Sequence, residues 1–167
     1  MHKIKKCIFE MFSDRGYNYD KNINFELDKF KIYFDNSPCL LKFILDDLKS
    51  SQIKDIVNSV LDEYEDSFKT IFVVVIHNSF TFNNPKIEIL YSKNFRLNIT
   101  KHILCYKHNL VNGCELEKLK QNVKISNLPI IFENDPMVRW YGWKEGQVCK
   151  IHRTSDFYYR LIKKKIL

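Results

Sequence analysis

Apolar residues recur at helical spacing in three parts of the N-terminal half. One stripe runs from Ile4 to Phe12 and ends near Gly16, which indicates an amphipathic helix. The most regular stripe runs from Ile53 to Tyr64, with the acidic residues between them lying off it. Apolar residues between Phe25 and Phe34 are spaced less regularly, and they predict a further helix.

Short apolar runs between these stripes predict strands. Leu40–Leu45 follows a Ser-Pro pair, and Lys69–His77 is apolar on both faces, as is typical of a central strand in a covered sheet. The strand, helix, strand order predicts a right-handed crossover and a partly parallel sheet. Lys86–Tyr91 and Phe95–Ile99 predict two further short strands.

The C-terminal part predicts a short helix followed by a β-hairpin. Asp135 suits the N-cap of the helix, Pro136 suits its first position, and Gly142 suits the left-handed residue that ends it. Val148–Arg153 and Phe157–Ile162 then predict two strands joined by a turn. These elements describe a compact unit that contains no recognised catalytic motif.

This same segment carries a family resemblance, because it reads LPIIFENDPMVRWYGWKEGQVCKIHR and continues to a Tyr-Tyr-Arg. It resembles the assembly domain of the fifth RNA polymerase subunit, a family that includes the subunit shared by eukaryotic polymerases I, II and III and its archaeal counterpart. The matching residues are Leu128, Pro129, Ile131, Asp135, Pro136, Val138, Arg139, Gly142, Lys144, Gly146, Gln147, Val148, Lys150, Ile151, Arg153, Tyr159 and Arg160.

The resemblance extends upstream with fewer matches. The Asp-Arg-Gly-Tyr run at 14–17 is similar to the end of the first helix in the eukaryotic N-terminal jaw domain, and 98–102 is similar to the opening of the assembly domain. The family keeps a His-x-Leu-Val-Pro-x-His pattern there. This chain keeps His102 and His108 but has Cys105-Tyr106 in place of Val-Pro, so the fixed backbone of proline is missing. Between 35 and 68 no residue-by-residue match is found.

The resemblance implies a non-catalytic subunit of a DNA-directed RNA polymerase that acts in DNA-templated transcription. It implies a two-domain α+β or α/β protein, with a helix-rich jaw-like domain at 1–92 and a small α+β assembly domain at 93–167. The assembly domain would dock on the largest subunit, and the jaw would lie near downstream DNA. The archaeal family member corresponds to the assembly domain alone, so a eukaryotic-type polymerase or one from a large DNA virus is expected. The location would be nuclear, or cytoplasmic or virion-associated for a virus.

Two sets of functional residues follow from the resemblance. The docking set consists of His102, His108, Pro129, Asp135, Pro136, Arg139, Gly142, Lys144, Gly146, Gln147, Lys150, Arg153, Tyr159 and Arg160. The set expected near DNA consists of Lys3, Lys5, Lys6 and Arg15.

Charge and cysteine content limit the class of protein. Residues 1–90 hold 12 basic and 14 acidic residues, whereas 91–167 hold 15 and 6, so the half that carries the signature is the basic one. A basic half suits nucleic acid or an acidic protein surface equally well. Five scattered cysteines and a sequence with no recognisable signal peptide or membrane-length apolar run favour an intracellular protein with free thiols and no membrane partner.

Two chemical alternatives compete with this interpretation. The residues His102, Cys105, His108 and Cys114 are types that bind zinc, but their spacing is not that of a two-knuckle site, so no metal or cofactor is expected. The carboxylates Glu115, Glu117, Glu133, Asp135 and Glu145 do not form a recognised hydrolase motif, so no catalytic residue is expected.

The hairpin mixes basic and aromatic residues, which is typical of nucleic-acid-binding surfaces. Strand alternation, however, puts basic groups on both of its faces, and this favours a hairpin covered on both sides. A free-standing nucleic-acid-binding or zinc-binding module is therefore kept as the alternative function.

Overall fold

The computed structural model describes residues 2–20, 22, 24–76 and 79–164. It divides into two compact units, Met1–Leu97 and Asn98–Leu167, which we call the N-terminal and C-terminal units. Each unit contains helices and one mixed four-stranded sheet, which confirms the α+β class with two sheets. Their assignment as a jaw domain and an assembly domain stays a prediction. Among the described residues, no helix has the length and apolar character that crossing a membrane requires.

The N-terminal unit has a partly parallel sheet, as expected. Its elements are α1 (His2–Asp14), β1 (Lys29–Phe34), β2 (Ser37–Ile44), α2 (Ser50–Tyr64), β3 (Thr70–Val75) and β4 (Ile87–Tyr91). The strands lie in the order β1-β2-β3-β4, with β1 antiparallel to β2 and the other two pairs parallel. The predicted central place of the third strand is thus confirmed, although His77, at the end of the predicted run, lies outside the described residues.

Both faces of this sheet are covered by helices. On one face, α2 packs Ile53 and Val57 against a cluster that includes Val73. On the other face, α1 places the ring of Phe12 4.7 Å from the ring of Phe72. Successive residues of a strand point to opposite faces, so the apolar run of β3 supplies both layers.

The predicted helix between Phe25 and Phe34 is wrong, because Lys29–Phe34 forms strand β1. β1 pairs with β2 through the two-residue connection Asp35-Asn36, and both residues have positive φ, 47° and 61°. Asp and Asn tolerate this left-handed conformation, which a tight hairpin turn requires at both positions. The turn and the pairing with β2 therefore override the helical spacing of the apolar residues.

The C-terminal unit contains the predicted capped helix and hairpin. Its elements are β5 (Lys107–Val111), α3 (Gly113–Asn122), β6 (Ile130–Phe132), α4 (Pro136–Tyr141), β7 (Val148–His152) and β8 (Phe157–Lys163). The strands lie in the order β5-β7-β8-β6. β7 is antiparallel to both β5 and β8, whereas β6 is parallel to β8.

The predicted strand at Phe95–Ile99 is also wrong. Two short 3-10 helices, Ser92–Phe95 and Ile99–Lys101, lie there instead. The side chain of Asn98 accepts a hydrogen bond from the Thr100 backbone N–H, and such a local bond competes with strand pairing. The units divide after Leu97 rather than after residue 92, and the buried Phe95 ring belongs to the N-terminal unit.

Candidate docking surface

Helix α4 has the caps that its sequence predicts. The Asp135 carboxylate accepts a hydrogen bond from the Met137 backbone N–H at 2.8 Å, and Pro136 opens the helix. Gly142 ends it with φ of 69°, a conformation that other residues adopt at a cost. These caps limit the helix to six residues.

Both faces of the hairpin β7–β8 meet a helix, as the alternation predicts. On one face, Val148 and Leu161 pack with Leu119 of α3. On the other face, Cys149 and Ile162 pack with Val138 of α4. Burial raises the pKa of the Cys149 thiol to about 11, so this cysteine is a packing residue at neutral pH.

Helix α4 covers only part of its face. Six helical residues span about 9 Å, whereas the seven residues of β8 span about 23 Å. The uncovered part of the face forms an open cleft of about 560 Å³. Its lining consists of Tyr106, His108, Ile130, Ile131, Phe132, Asn134, Asp135, Pro136, Ile151, Arg153 and Arg160. We call this the α4 cleft.

Two guanidinium groups lie in the α4 cleft. The guanidinium of Arg153 lies over the rings of Tyr106 and Tyr158, at 5.4 and 4.8 Å from their centroids. Arg160 Nη1 donates to the Ile130 carbonyl at 3.0 Å. Asp135 is the one carboxylate among the described lining residues, and it already accepts the α4 N-cap bond. The cleft is therefore cationic.

The predicted docking set divides between this cleft and its scaffold. His108, Asp135, Pro136, Arg153 and Arg160 line the cleft. His108 Nδ1 is 2.7 Å from the Tyr106 carbonyl, and because a carbonyl only accepts, this ring nitrogen is the donor. These five residues are brought together from four separate parts of the chain.

The other members of the set do not line the cleft, and most of them make contacts inside the unit. Lys150 Nζ and the Tyr159 hydroxyl both donate to Glu115 of α3, at 2.8 and 3.0 Å. The Gln147 side chain accepts from the Lys144 N–H at 2.7 Å, which closes the turn before β7. Further hydrogen bonds involve four more members of the set. The Pro129 carbonyl accepts from the Leu161 N–H, and the Gly146 N–H donates to the Ile162 carbonyl. Arg139 donates to the Asn134 carbonyl, and His102 Nδ1 accepts from the Leu104 N–H.

Sequence reasoning missed the apolar part of the cleft. Tyr106 and half-buried Ile151 line it, and the Tyr106 ring is 47% exposed. Ile130 and Phe132 alternate with Ile131, which packs with Val138 of α4, so their exposed side chains lie on the other face of the sheet. Tyr106 stands where the family pattern has proline, so the departure itself adds an exposed ring.

The cysteines and histidines of the possible zinc set have other contacts. His102 and His108 bond to backbone groups two residues away, and the Cys105 thiol contacts Met137 Sδ at 3.2 Å. Cys114 is exposed at the start of α3. Within the described ranges, no group of three or more His, Cys, Asp or Glu residues is arranged to hold a metal ion. That the protein binds no metal stays a prediction.

Two of the four residues expected near DNA lie in internal contacts. Lys5 is 5% exposed and donates to the Phe25 carbonyl at 2.7 Å and to the Leu27 carbonyl, and its burial lowers the pKa of its ammonium group. Arg15 Nη1 bonds to Glu88 of β4 at 3.0 Å, and its side chain is 7% exposed. Of the set, Lys3 and Lys6 are exposed.

The Asp-Arg-Gly-Tyr run is thus a structural turn after α1. Gly16 has φ of 85°, and the Tyr17 N–H bonds back to the Phe12 carbonyl at 2.9 Å. The Tyr17 ring packs edge-on against Phe72, and burial raises the pKa of Tyr17 to about 12. The run fixes α1 against the sheet of the N-terminal unit.

Comparison with known proteins matches the C-terminal unit to a polymerase-subunit family. Residues 97–162 match the family described as RNA polymerase Rpb5, C-terminal domain. The chain is 38% identical over 78 residues to the DNA-directed RNA polymerase subunit Rpo5 of Methanocaldococcus jannaschii, covering 42% of this chain and 100% of that protein.

Eukaryotic relatives extend the similarity over both units. One is subunit 5B of the DNA-directed RNA polymerases IV and V of Arabidopsis thaliana, with 28% identity over 88% of this chain and 80% of the relative. Another is subunit rpabc1 of the DNA-directed RNA polymerases I, II and III of Dictyostelium discoideum, with 29% identity over 92% of this chain and 90% of the relative.

The fold and the cleft define a two-unit α+β protein whose C-terminal sheet is only partly covered by α4. The matched segment contains almost all of the C-terminal unit, including every residue that lines the α4 cleft. The chain belongs to the family of the fifth RNA polymerase subunit, that of the Rpb5 C-terminal domain.

Proposed function

We propose that this chain docks on the largest subunit of its RNA polymerase through the α4 cleft and places its N-terminal unit near downstream DNA. As a member of its family, the chain is a non-catalytic subunit of a DNA-directed RNA polymerase and acts in DNA-templated transcription. In a eukaryotic cell the place of action is the nucleus, and for a cytoplasmic virus it is the cytoplasm or virion.

One observation supports the docking proposal above the others. The family signature is spread over more than fifty residues of sequence, yet five of its members converge on one uncovered part of a sheet. Protein interfaces combine an apolar centre with aromatic and arginine side chains, and the α4 cleft has this composition. The relatives named above all carry polymerase-subunit names, so they give the zinc-binding or nucleic-acid-binding alternative no support.

The docking proposal is tested by co-purification from the native cell. A tagged wild-type chain should retain the two largest polymerase subunits in stoichiometric amounts. Tyr106→Asp, which adds a charge at a 47% exposed cleft residue, should lower that retention. Val123→Asp, which adds the same charge at a 40% exposed residue after α3, is the control and should not. Equal retention by both variants contradicts the use of the cleft.

The jaw proposal rests on charge and exposure. Residues 1–97 hold 14 basic and 14 acidic residues, so the N-terminal unit carries no net charge to hold a duplex alone. Lys3 and Lys6 are exposed on α1 and can contact phosphates once the polymerase positions them. Contact with DNA should therefore depend on the assembled enzyme.

A photo-crosslinker tests the jaw proposal. Placed at Lys3 or Lys6 in the complete polymerase, it should reach DNA ahead of the active site. The same group at exposed Lys54 on α2 shows whether the reaction is specific to α1. Tight duplex binding by residues 1–97 alone at physiological salt would instead indicate an autonomous DNA-binding module.

A further inference from the structure

We infer that the α4 cleft recognises an extended partner segment that carries an aspartate or glutamate beside an apolar side chain. This inference rests on the proposed docking function, and it adds the chemistry of the segment that docks. Charge, backbone hydrogen bonds and exposed apolar surface each contribute to it.

The charge in the cleft selects an acidic group. The cleft lining contains two guanidinium groups, Arg153 and Arg160, and one carboxylate, Asp135. One oxygen of Asp135 already accepts a hydrogen bond from the Met137 N–H. Each guanidinium has five N–H donors in a fixed fork that matches a carboxylate. Arg160 donates Nη1 to the Ile130 carbonyl, so it is held in place while the rest of the fork is available for a partner.

The backbone at the border of the cleft favours recognition by side chains. The carbonyl of Ile130 accepts from Arg160 at 3.0 Å, and the carbonyl of Phe132 accepts from the Asp135 N–H at 2.9 Å. Strand addition to β6 needs backbone acceptors along that border. Since both carbonyls already have donors, a partner gains more from the arginines than from pairing with β6.

The apolar lining of the cleft is the reason that the partner segment needs an apolar side chain beside its acidic residue. Ile151 is part of the lining and is half-buried, and the ring of Tyr106, which is 47% exposed, belongs to the same lining. A volume of about 560 Å³ lies within the range of about 300–1,000 Å³ that binding pockets have. An apolar partner side chain on Ile151 would remove this surface from water while the arginines bind the neighbouring carboxylate.

The aromatic rings of the cleft are less suited to nucleic acid. Base stacking needs an open ring face. The guanidinium of Arg153 lies over both Tyr106 and Tyr158, so one face of each ring is already occupied. An acidic protein segment uses the cleft as it stands.

The experiment uses the full chain in the assembled polymerase, with p-benzoylphenylalanine in place of Tyr106, whose ring lines the cleft. Mass spectrometry of the photo-crosslinked product identifies the segment in the cleft. The expected result is a segment of another polymerase subunit that has Asp or Glu next to an apolar residue. A segment without an acidic residue, a nucleic acid, or a second copy of this chain would each overturn the inference.

Charge reversal supplies the second measurement. Arg160→Glu and, separately, Arg153→Glu should each reduce retention of the crosslinked subunit by about tenfold or more, and changing the identified acidic residue to Lys should restore binding to Arg160→Glu. Arg153 is exposed, so its variant tests the inference even where Arg160→Glu folds poorly. Lys118→Glu on α3 is the matched control and should bind as wild type.

The two proposals fail differently. A wild-type chain that retains no polymerase subunit overturns the docking function. Retention that is unaffected by either arginine variant leaves the docking function in place and overturns the acidic-segment inference.

Discussion

The two units cover their sheets to different extents. In the N-terminal unit, helices of 13 and 15 residues lie on opposite faces of the sheet. In the C-terminal unit, the helices have 10 and 6 residues, and the six-residue α4 leaves the α4 cleft uncovered. The sheet of the first unit is covered on both faces by its own helices, whereas the sheet of the second leaves apolar surface exposed beside α4. The two units also differ in charge. Residues 98–167 hold 13 basic and 6 acidic residues, whereas residues 1–97 hold 14 basic and 14 acidic residues.

The strongest test of this comparison is whether the C-terminal unit folds alone. A fragment that starts at Asn98 should give a folded circular-dichroism spectrum and a cooperative melt, because its sheet has its own buried clusters on both faces. A fragment that stays unfolded while the full chain folds would show that the units depend on each other.

Core truncation should separate the two sheets by several kcal/mol. Phe72 is 1% exposed and packs on α1, so Phe72→Ala should cost about 3–5 kcal/mol of the free energy of unfolding. Ile151 is half-buried beside the cleft, so Ile151→Ala should cost about 1–1.5 kcal/mol, roughly half the value for full burial. Chemical denaturation measures both. Similar losses would mean that the cleft is as well packed as the N-terminal core.

The pair Arg15–Glu88 should matter more than an exposed ion pair in the same unit. Because the Arg15 side chain is 7% exposed, Arg15→Ala should cost about 1.5–3 kcal/mol, the range for a hydrogen bond to a charged group. Lys29→Ala removes an exposed pair with Glu63 and should cost less than about 1 kcal/mol. Comparable thermal shifts for the two variants would argue that the Asp-Arg-Gly-Tyr run is not a structural turn.

The cap of α4 can be separated from docking. Asp135→Ala should cost about 0.5–2 kcal/mol, whereas Asp135→Asn keeps a capping oxygen and should cost little. Both variants are measured by thermal melting and by polymerase co-purification. If Asp135→Ala leaves the melting temperature unchanged while association is lost, Asp135 acts as a contact residue instead of a cap.

The smallest effect concerns the covered face of the hairpin. Hydrogen bonds from Lys150 and Tyr159 lower the pKa of the Glu115 carboxyl. A lowered folded-state pKa contributes stability above the unfolded value, about 4.3, and that contribution is lost as the pH falls through the folded value. Glu115→Gln should therefore cost under about 1 kcal/mol at pH 7 and less at pH 3. Glu117→Gln, on the exposed side of α3, is the control, and an equal loss at both pH values would contradict this account.

Local sequence signals were sufficient where one residue fixes one backbone conformation. Asp135, Pro136 and Gly142 act within a single turn of chain, and the structure has the helix that they predict. The regular stripe of apolar residues from Ile53 to Tyr64 likewise forms α2, because spacing sustained over that length matches the period of a helix and not the two-residue period of a strand. The signal was weaker for β5 and α3, each of which has one buried residue, and neither element was predicted from the sequence.

Local patterns were enough to predict the family, the capped helix, the hairpin and the strands β2, β3 and β4 of the N-terminal sheet, because caps, turns and apolar periods act over a few residues. Other features depend on contacts between distant parts of the chain. Pairing with β2 makes Lys29–Phe34 a strand, and Lys5 and Arg15 are buried against partners more than twenty residues away. The α4 cleft likewise takes its arginines and apolar side chains from separate strands. Such contacts depend on tertiary packing and strand register, and a local sequence pattern specifies neither.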